Sequence, residues 1–481
     1  MNEAWIWTPL LHALAWAGTL LHIGLASAVT VHALLRKRDV AACIAWIGLA
    51  WLSPILGSVI YSLFGINRVE RKARRLRTRH GLGGAGRRID DPATFTMARD
   101  DHLEPLERAI GTLTRRPSRD GNAITMLRNG DEAYPPMLAA INEAQHSLCL
   151  LSYIFDDDAG GGPFIDALIA AHKRGVQVRV LLDGFGSGYF RSPAHERLVA
   201  SGVKAARFLH TFVPWRMPFL NLRNHKKILV ADGWRAFIGG INLAAENLVT
   251  TNPAWPVRDM HFGVQGPVAA QIVETFAADW HFSTGEELGG PAWFPKLEAA
   301  GMASARVITS GPDDELGNIA LSMLTAISVA QRSIKVVTPY FLPDVRFLSA
   351  LGLAAMRGVA VDIVVPEKGD HPTLDWALSA HIPPLLEAGV RIWRARLPFE
   401  HSKLMSVDDS WSLIGSANWD MRSLRLNFEI TLEVCCPVFG QLVAATIAKK
   451  QDDPIQLKEL NARPIWKRLR DSAARLMLPY L

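Results

Sequence analysis

The stretch EHSKLMSVDDSWSLIGSANWDMRSLRLNFE, Glu400 to Glu429, decides how this chain folds and where its chemistry sits. It opens with His401 and Lys403, two positions apart at the start of a strand-like alternation. Side chains of a strand alternate between faces, so both point the same way, roughly 7 Å apart. Val407-Asp408-Asp409-Ser410 reads as a tight turn, because Asp and Ser oxygens satisfy the backbone of a reversal. The chain returns through Trp411 to Ile414 and leaves by Gly415-Ser416-Ala417-Asn418. A hairpin brings its exit beside its entry, which predicts Asn418 near His401 and Lys403. An imidazole, a cation and a neutral donor around one point suit a phosphate.

A lone His-x-Lys is ordinarily a solvated strand edge. Here the pattern occurs twice. In NHKKILVADGWRAFIGGIN, residues 224–242, His225, Lys227, Asp232, Gly239 and Asn242 repeat the spacing of His401, Lys403, Asp408, Gly415 and Asn418. The repetition extends outward. EAQHSLCLLSYIF (143–155) corresponds to VAQRSIKVVTPYF (329–341), and HKRGVQVRVLLD (172–183) to AMRGVAVDIVVP (355–366). Helix, Gly-Val, buried strand is the order of βαβ units, which predicts an α/β fold with a largely parallel sheet in each of two homologous halves.

Both stretches resemble the HxK(x)4D(x)6GSxN signature of the phospholipase D superfamily. The surroundings, LRNHKK in the first copy and GSANWDMRS with NFE in the second, resemble bacterial cardiolipin synthases of that superfamily. The resemblance implies two phospholipase D-like halves about a pseudo-two-fold axis, each bringing one His-x-Lys to a shared site. It implies His225 as nucleophile, forming a phosphohistidine, and His401 as general acid. Lys227, Lys403, Asn242 and Asn418 supply charge and donors to the phosphate, and Ser416 supports the pocket. Asp232 and Asp408 complete the catalytic signature, yet their place at the turn reads as structural. The acids expected to orient the histidines are Asp259 and Glu429. The implied reaction moves a phosphatidyl group from one phosphatidylglycerol to another with release of glycerol, without metal or other cofactor. The same site with water or serine as acceptor would be a phospholipase D or a phosphatidylserine synthase. A nuclease with these motifs has no evident need of a membrane anchor, and two complete His-Lys-Asn sets argue against a non-catalytic lipid-binding scaffold. Two positions depart from expectation. Gly240 stands where the signature has Ser, and Glu400 places an acid beside His401, which would favour the imidazolium there.

The remaining chain fits that reading. At 481 residues it holds two domains with segments to spare, and a mean hydropathy of +0.11 is high for a wholly soluble enzyme. Ala4 to Leu35 and Val40 to Phe64 each exceed the ~20 apolar residues that cross a bilayer. Joined by Arg36-Lys37-Arg38-Asp39, they predict a transmembrane hairpin rather than a cleaved signal, since MNEAWIW lacks a basic start. His12, His22 and His32 are spaced for helix packing or an interface rather than for a metal. The basic cluster from Arg68 to Arg79 should hold both chain ends in the cytoplasm and meet anionic headgroups in preference to nucleic acid. Cys43, Cys149, Cys435 and Cys436 lack metal-ligand spacing and read as small buried apolar groups. The apolar loop Phe212 to Leu220 is either core or a membrane-facing lip of the site. The end from Arg463 carries Ile465, Trp466, Leu469, Ala473, Leu476 and Met477 along one helical face among basic residues, for a membrane surface or for packing on its own domain. The predicted segments are a transmembrane hairpin (1–65), a basic linker (66–120), the two repeats (121–295 and 296–450) and a basic amphipathic tail (451–481). The expected location is the inner membrane, with the catalytic part in the cytoplasm.

Overall fold

A computed structural model describes residues 4–37, 40–65, 101–210, 222–311, 315 and 317–476. The Arg68–Arg79 cluster, the loop Phe212–Leu220 and Met477 lie outside these residues. The chain divides into two compact units, Met1–Lys72 and Ala73–Leu481.

In the first unit, α1 (Ala4–Arg36) is the one described helix long and apolar enough to cross a membrane, over Leu11–Arg36. α2 (Val40–Leu52) packs back on it around Ala26, Val29, Ala33 and Ala50. The second apolar run is not one continuous helix. It stops at Ser53-Pro54 and resumes as the short α3 (Leu56–Ile60), because proline lacks the amide that a helix interior requires. Two of the histidines of α1 are used in packing: His32 Nδ1 lies 2.7 Å from Tyr61 Oη, and His22 Nε2 lies 3.3 Å from Trp51 O.

The second unit is built on one sheet. Its first half supplies β1 (Arg119–Arg128), β2 (Ser147–Ser152), β3 (Gln177–Asp183), β4 (Lys204–Phe208), β5 (Ile228–Ala231), β6 (Arg235–Gly239), β7 (Val257–Arg258) and β8 (Met260–Gln265). The second half supplies β9 (Ala303–Ser310), β10 (Ser333–Val337), β11 (Phe341–Leu342), β12 (Ala360–Pro366), β13 (Arg391–Ala395), β14 (Phe399–Glu400), β15 (Leu404–Val407), β16 (Trp411–Gly415), β17 (Trp419–Asp420), β18 (Glu429–Cys435) and β19 (Asp453–Pro454). Fifteen of these run β19-β13-β12-β10-β15-β16-β18-β9-β1-β8-β6-β5-β2-β3-β4. The order β4-β3-β2-β5-β6-β8-β1 thus recurs as β13-β12-β10-β15-β16-β18-β9, and antiparallel β1 and β9 join the two runs. Pairing is parallel among β2, β3 and β4 and among β10, β12 and β13, and antiparallel from the hairpins β5-β6 and β15-β16 inward. The sheet is therefore mixed, with helices packed on it, and the expectation of a largely parallel sheet is corrected. Each of the two runs has two parallel pairings and four antiparallel ones, because the His-x-Lys hairpin and the strands beside it reverse direction.

The apolar runs explain the burial. All six residues of β2 and all four of β15 are buried, as expected for strands covered on both faces. Phe164, Leu168 and Val180 lie in the core of the first half, and Phe347, Leu351 and Ile363 in that of the second.

Candidate active site

Each His-x-Lys is the extended lead-in to a hairpin, at β5 and at β15, and each lead-in is stitched to the opposite half. His225 N donates to Phe428 O at 2.9 Å, beside the Asn224–Phe428 bridge. His401 N donates to Arg258 O at 2.7 Å, where β14 pairs in parallel with β7. Phe428 and Arg258 are the residues just before the two acids. The next residue along each strand therefore faces a histidine of the other half.

The result is a crossed pair. His225 Nδ1 lies 3.1 Å from Glu429 Oε2, and His401 Nδ1 lies 2.7 Å from Asp259 Oδ2. Both acids and His225 are buried, and His401 is partly buried. A carboxylate on Nδ1 fixes the tautomer and leaves Nε2 for chemistry. Between them, Lys227 Nζ donates to His225 O at 2.9 Å. Lys403 Nζ donates to His401 O and lies 3.4 Å from Asp259 Oδ2. Asn242 and Asn418, each three positions past the glycine that ends β6 or β16, are buried, and the Oδ1 of each has no hydrogen bond among the described residues. The sequence-predicted His and Lys residues of both motifs thus share one locality, since Lys403 acts on His225 and Lys227 on His401.

Electrostatics sharpen the picture. Burial pushes the His225 imidazole down to about 4, against the pull of Glu429, and Lys227 adds to the fall. His401 is lowered by burial and by the Lys403 ammonium, with Asp259 opposing. Burial brings Lys227 down to about 7 despite Glu429, and the neighbouring ammonium of Lys403 contributes. Lys403 is lowered as well, by burial against Asp259. Two ammonium groups are thus held in a dry site where an anion between them would restore their charge.

The turn aspartates sit elsewhere. Asp232 accepts from the amides of Gln145, His146 and Ser147 at 2.7–2.9 Å. Asp408 accepts likewise from Gln331, Arg332 and Ser333 at 2.7–2.9 Å, and from His102. Each carboxylate is spent on tying the hairpin to the edge of β2 or β10.

Ser416 Oγ donates to Glu429 Oε2 and accepts from Ile430 N. Its counterpart Gly240 has a physical reason to be glycine: a Cβ there would lie 2.4 Å from both carboxylate oxygens of Asp259. The expectation for Glu400 is overturned. Neighbouring residues of an extended chain point to opposite sides, so Glu400 turns away from His401 into a pair with Lys450 at 2.6 Å and Arg258 at 3.7 Å.

Several residues escaped the sequence reading. Ser423 Oγ and Asn427 Nδ2 both donate to Glu429 Oε1, at 2.9 and 3.1 Å. Tyr153 packs edge-on against His225, its ring 4.9 Å away, and the Tyr340 ring lies 6.4 Å from that of His401. A signal existed for the tyrosines, since each follows the repeated strand, one position apart in the aligned copies LLSYIF and VVTPYF. His261, in register with Gly239, is wholly buried and pushed down by burial to about 3. Among the described residues no three His, Cys, Asp or Glu gather as a metal cage.

Comparison with known proteins shows the family. The family model described as "Cardiolipin synthase, PLD-like domain" matches residues 137–280 and 323–449. The chain is 32% identical over 459 residues to a cardiolipin synthase of Geobacillus kaustophilus, covering 93% of this chain and 90% of that protein. It is 32% identical to the major cardiolipin synthase ClsA of Bacillus subtilis (93% and 95% covered) and 33% identical to cardiolipin synthase A of Pseudomonas putida (92% and 92%). Among solved structures, a phosphatidylserine synthase of Haemophilus influenzae superposes with a TM-score of 0.60 at 16% identity, over 79% of this chain and 100% of that one. At that identity it speaks for the fold alone.

Proposed function

The chain belongs to the cardiolipin synthase family of phospholipase D-like proteins, and we propose on that footing that it transfers a phosphatidyl group from one phosphatidylglycerol to the hydroxyl of another, releasing glycerol. The observation that carries the reading is the crossed pair of histidine–carboxylate contacts around two buried lysines. One half alone would hold neither histidine. The two halves, related by a pseudo-two-fold axis, make one site.

The roles follow from charge. Neutral His225, held by Glu429 at Nδ1, attacks phosphorus through Nε2, and the phosphorus–oxygen bond to the glycerol headgroup breaks. His401, protonated at Nε2, gives that oxygen its proton and glycerol leaves. The primary hydroxyl of the second phosphatidylglycerol then passes its proton to His401 and attacks phosphorus. The phosphorus–nitrogen bond breaks and His225 is neutral again. Burial lowers both imidazoles, so the distinction between them rests on the carboxylates: Asp259 lies closer to His401 than Glu429 does to His225. With substrate bound, two ammonium groups and one imidazolium balance two carboxylates and one phosphodiester. That neutrality is the reason for assigning a single protonated histidine. Lys227, Lys403, Asn242 and Asn418 bind the phosphoryl oxygens, Ser416 steadies Glu429, and Asp232 and Asp408 are structural.

α1, with α2 packed on it, anchors the chain in the inner membrane, and the second unit faces the cytoplasm. Detergent-purified protein given phosphatidylglycerol should form cardiolipin and glycerol in equal amounts, and His225→Ala or His401→Ala should each remove at least ~10³-fold of the rate. Phosphatidic acid as the sole product would assign water as the acceptor and overturn the transferase reading.

A further inference from the structure

The helix Ile465–Leu476 is turned the wrong way for a soluble protein. A surface helix buries its apolar face and shows its charges to water. Here the side chains facing the domain are Asp471 and Ala474, both buried against the helix Pro372–His381. The apolar ones face out: Ile465 is 66% exposed, Trp466 59%, Leu469 64% and Leu476 77%. Ala473 completes the stripe between Leu469 and Leu476.

The orientation is fixed by ions. Asp471 receives Arg463 at 2.6 Å and Arg470 at 2.8 Å. The Arg470 guanidinium lies over two aromatic rings, 4.2 Å from the centroid of Trp376 and 5.9 Å from that of Trp466. Arg475 donates to Ala380 O at 3.1 Å. Rolling the helix to bury Leu469 would break this clamp and expose a carboxylate that now has two guanidinium partners. The domain therefore holds the apolar stripe outward.

Charge identifies what covers it. The one acid of the helix is the inward Asp471, whereas exposed Arg468 borders the stripe and the Lys467 ammonium lies 5.4 Å from the centroid of the Trp466 ring. An apolar stripe bordered by cations and free of exposed acids matches the boundary between acyl chains and anionic headgroups. We propose that this helix lies in the surface of an anionic phospholipid bilayer, with Ile465, Trp466, Leu469 and Leu476 below the headgroups. The surface is next to the chemistry. The supporting helix Pro372–His381 begins two residues after Asp370, which accepts from Tyr340 Oη at 2.8 Å, and Tyr340 is the ring beside His401. Docking would bring the second half's side of the site to the membrane, independently of α1.

The test uses the full-length protein in nanodiscs holding one copy each. Leu469→Cys carries a nitroxide, with Cys43, Cys435 and Cys436 replaced by serine. In discs containing phosphatidylglycerol, collisions with oxygen should exceed those with a water-soluble nickel chelate by roughly threefold relative to the same protein in phosphatidylcholine alone. Asp471→Leu, which releases the clamp, should abolish the difference. A nitroxide open to nickel in every disc would overturn the proposal. So would protection that arises only in discs holding two copies, which would make a second chain the occupant. Cardiolipin formation measured on the same samples reads the reaction separately, so an active enzyme with a water-exposed Leu469 would sink the docking and leave the assigned chemistry standing.

Discussion

Gly240 is the residue at which the two motifs differ, and the difference is imposed by the acid that each motif faces. Asp259 is one methylene shorter than Glu429, and its carboxylate occupies the space that any side chain at position 240 would need. Gly240→Ser, which completes the signature, should therefore lower turnover at least ~10-fold by displacing Asp259 from His401, with a circular dichroism spectrum unchanged. A faster enzyme would contradict the geometry. Lys227 offers a second measurement. A lysine at about 7 loses its proton as the solution passes neutrality, while a bound oxyanion needs the ammonium. Competitive inhibition by tungstate should thus hold steady below pH 7 and weaken by up to ~10-fold per pH unit above it, and Lys227→Arg should flatten the profile. Individual residues were the most legible scale. His225, Lys227, His401 and Lys403 could be read as one cluster from spacing, because two hairpins of the same design repeat it. Glu400 was misread, since its neighbourhood in sequence to His401 says nothing about which side of the chain it takes.

Hairpins are held in place by the turn aspartates. Asp408 alone gathers three backbone amides from the loop ahead of β10, and Asp232 does the same ahead of β2. Asp408→Ala leaves those amides without a carboxylate and should cost about 3 kcal/mol, read as a lower unfolding temperature. Turnover of the protein still folded at low temperature should change less than ~5-fold. A loss comparable to that of His401→Ala, at unchanged stability, would return the aspartate to the chemistry. The repeated strands β2, β3, β10 and β12 and the two hairpins were legible from their alternation and from repeated Gly-Val steps, whereas the antiparallel β1, β8, β9 and β18, which make each half less parallel than expected, were not. The break at Pro54 was legible in principle too, because a proline inside an apolar run forbids an unbroken helix. What could not be read was the stitching of His225 to Phe428 and His401 to Arg258, since two-residue pairings leave no periodic trace.

At the scale of the whole molecule the fifteen strands form one sheet, with its two runs joined along β1 and β9. Both histidines of a site therefore come from one chain. Co-expression of a His225→Ala chain with a His401→Ala chain should give no more cardiolipin than either alone. Recovery of activity would mean that halves exchange between chains. The repeat order itself was visible in sequence, but the crossing of acids was not, because spacing within each copy is the same whether an acid serves its own histidine or the other. That crossing bears on how such a chain can change over generations. A duplicated segment usually frees one copy to drift while the other keeps the work. Here Asp259 is answerable to His401 and Glu429 to His225, so each copy is on loan to its sibling. A lesion in one copy is mended only by a compensating change in the other, and descent should leave its record as paired substitutions between the repeats rather than within them.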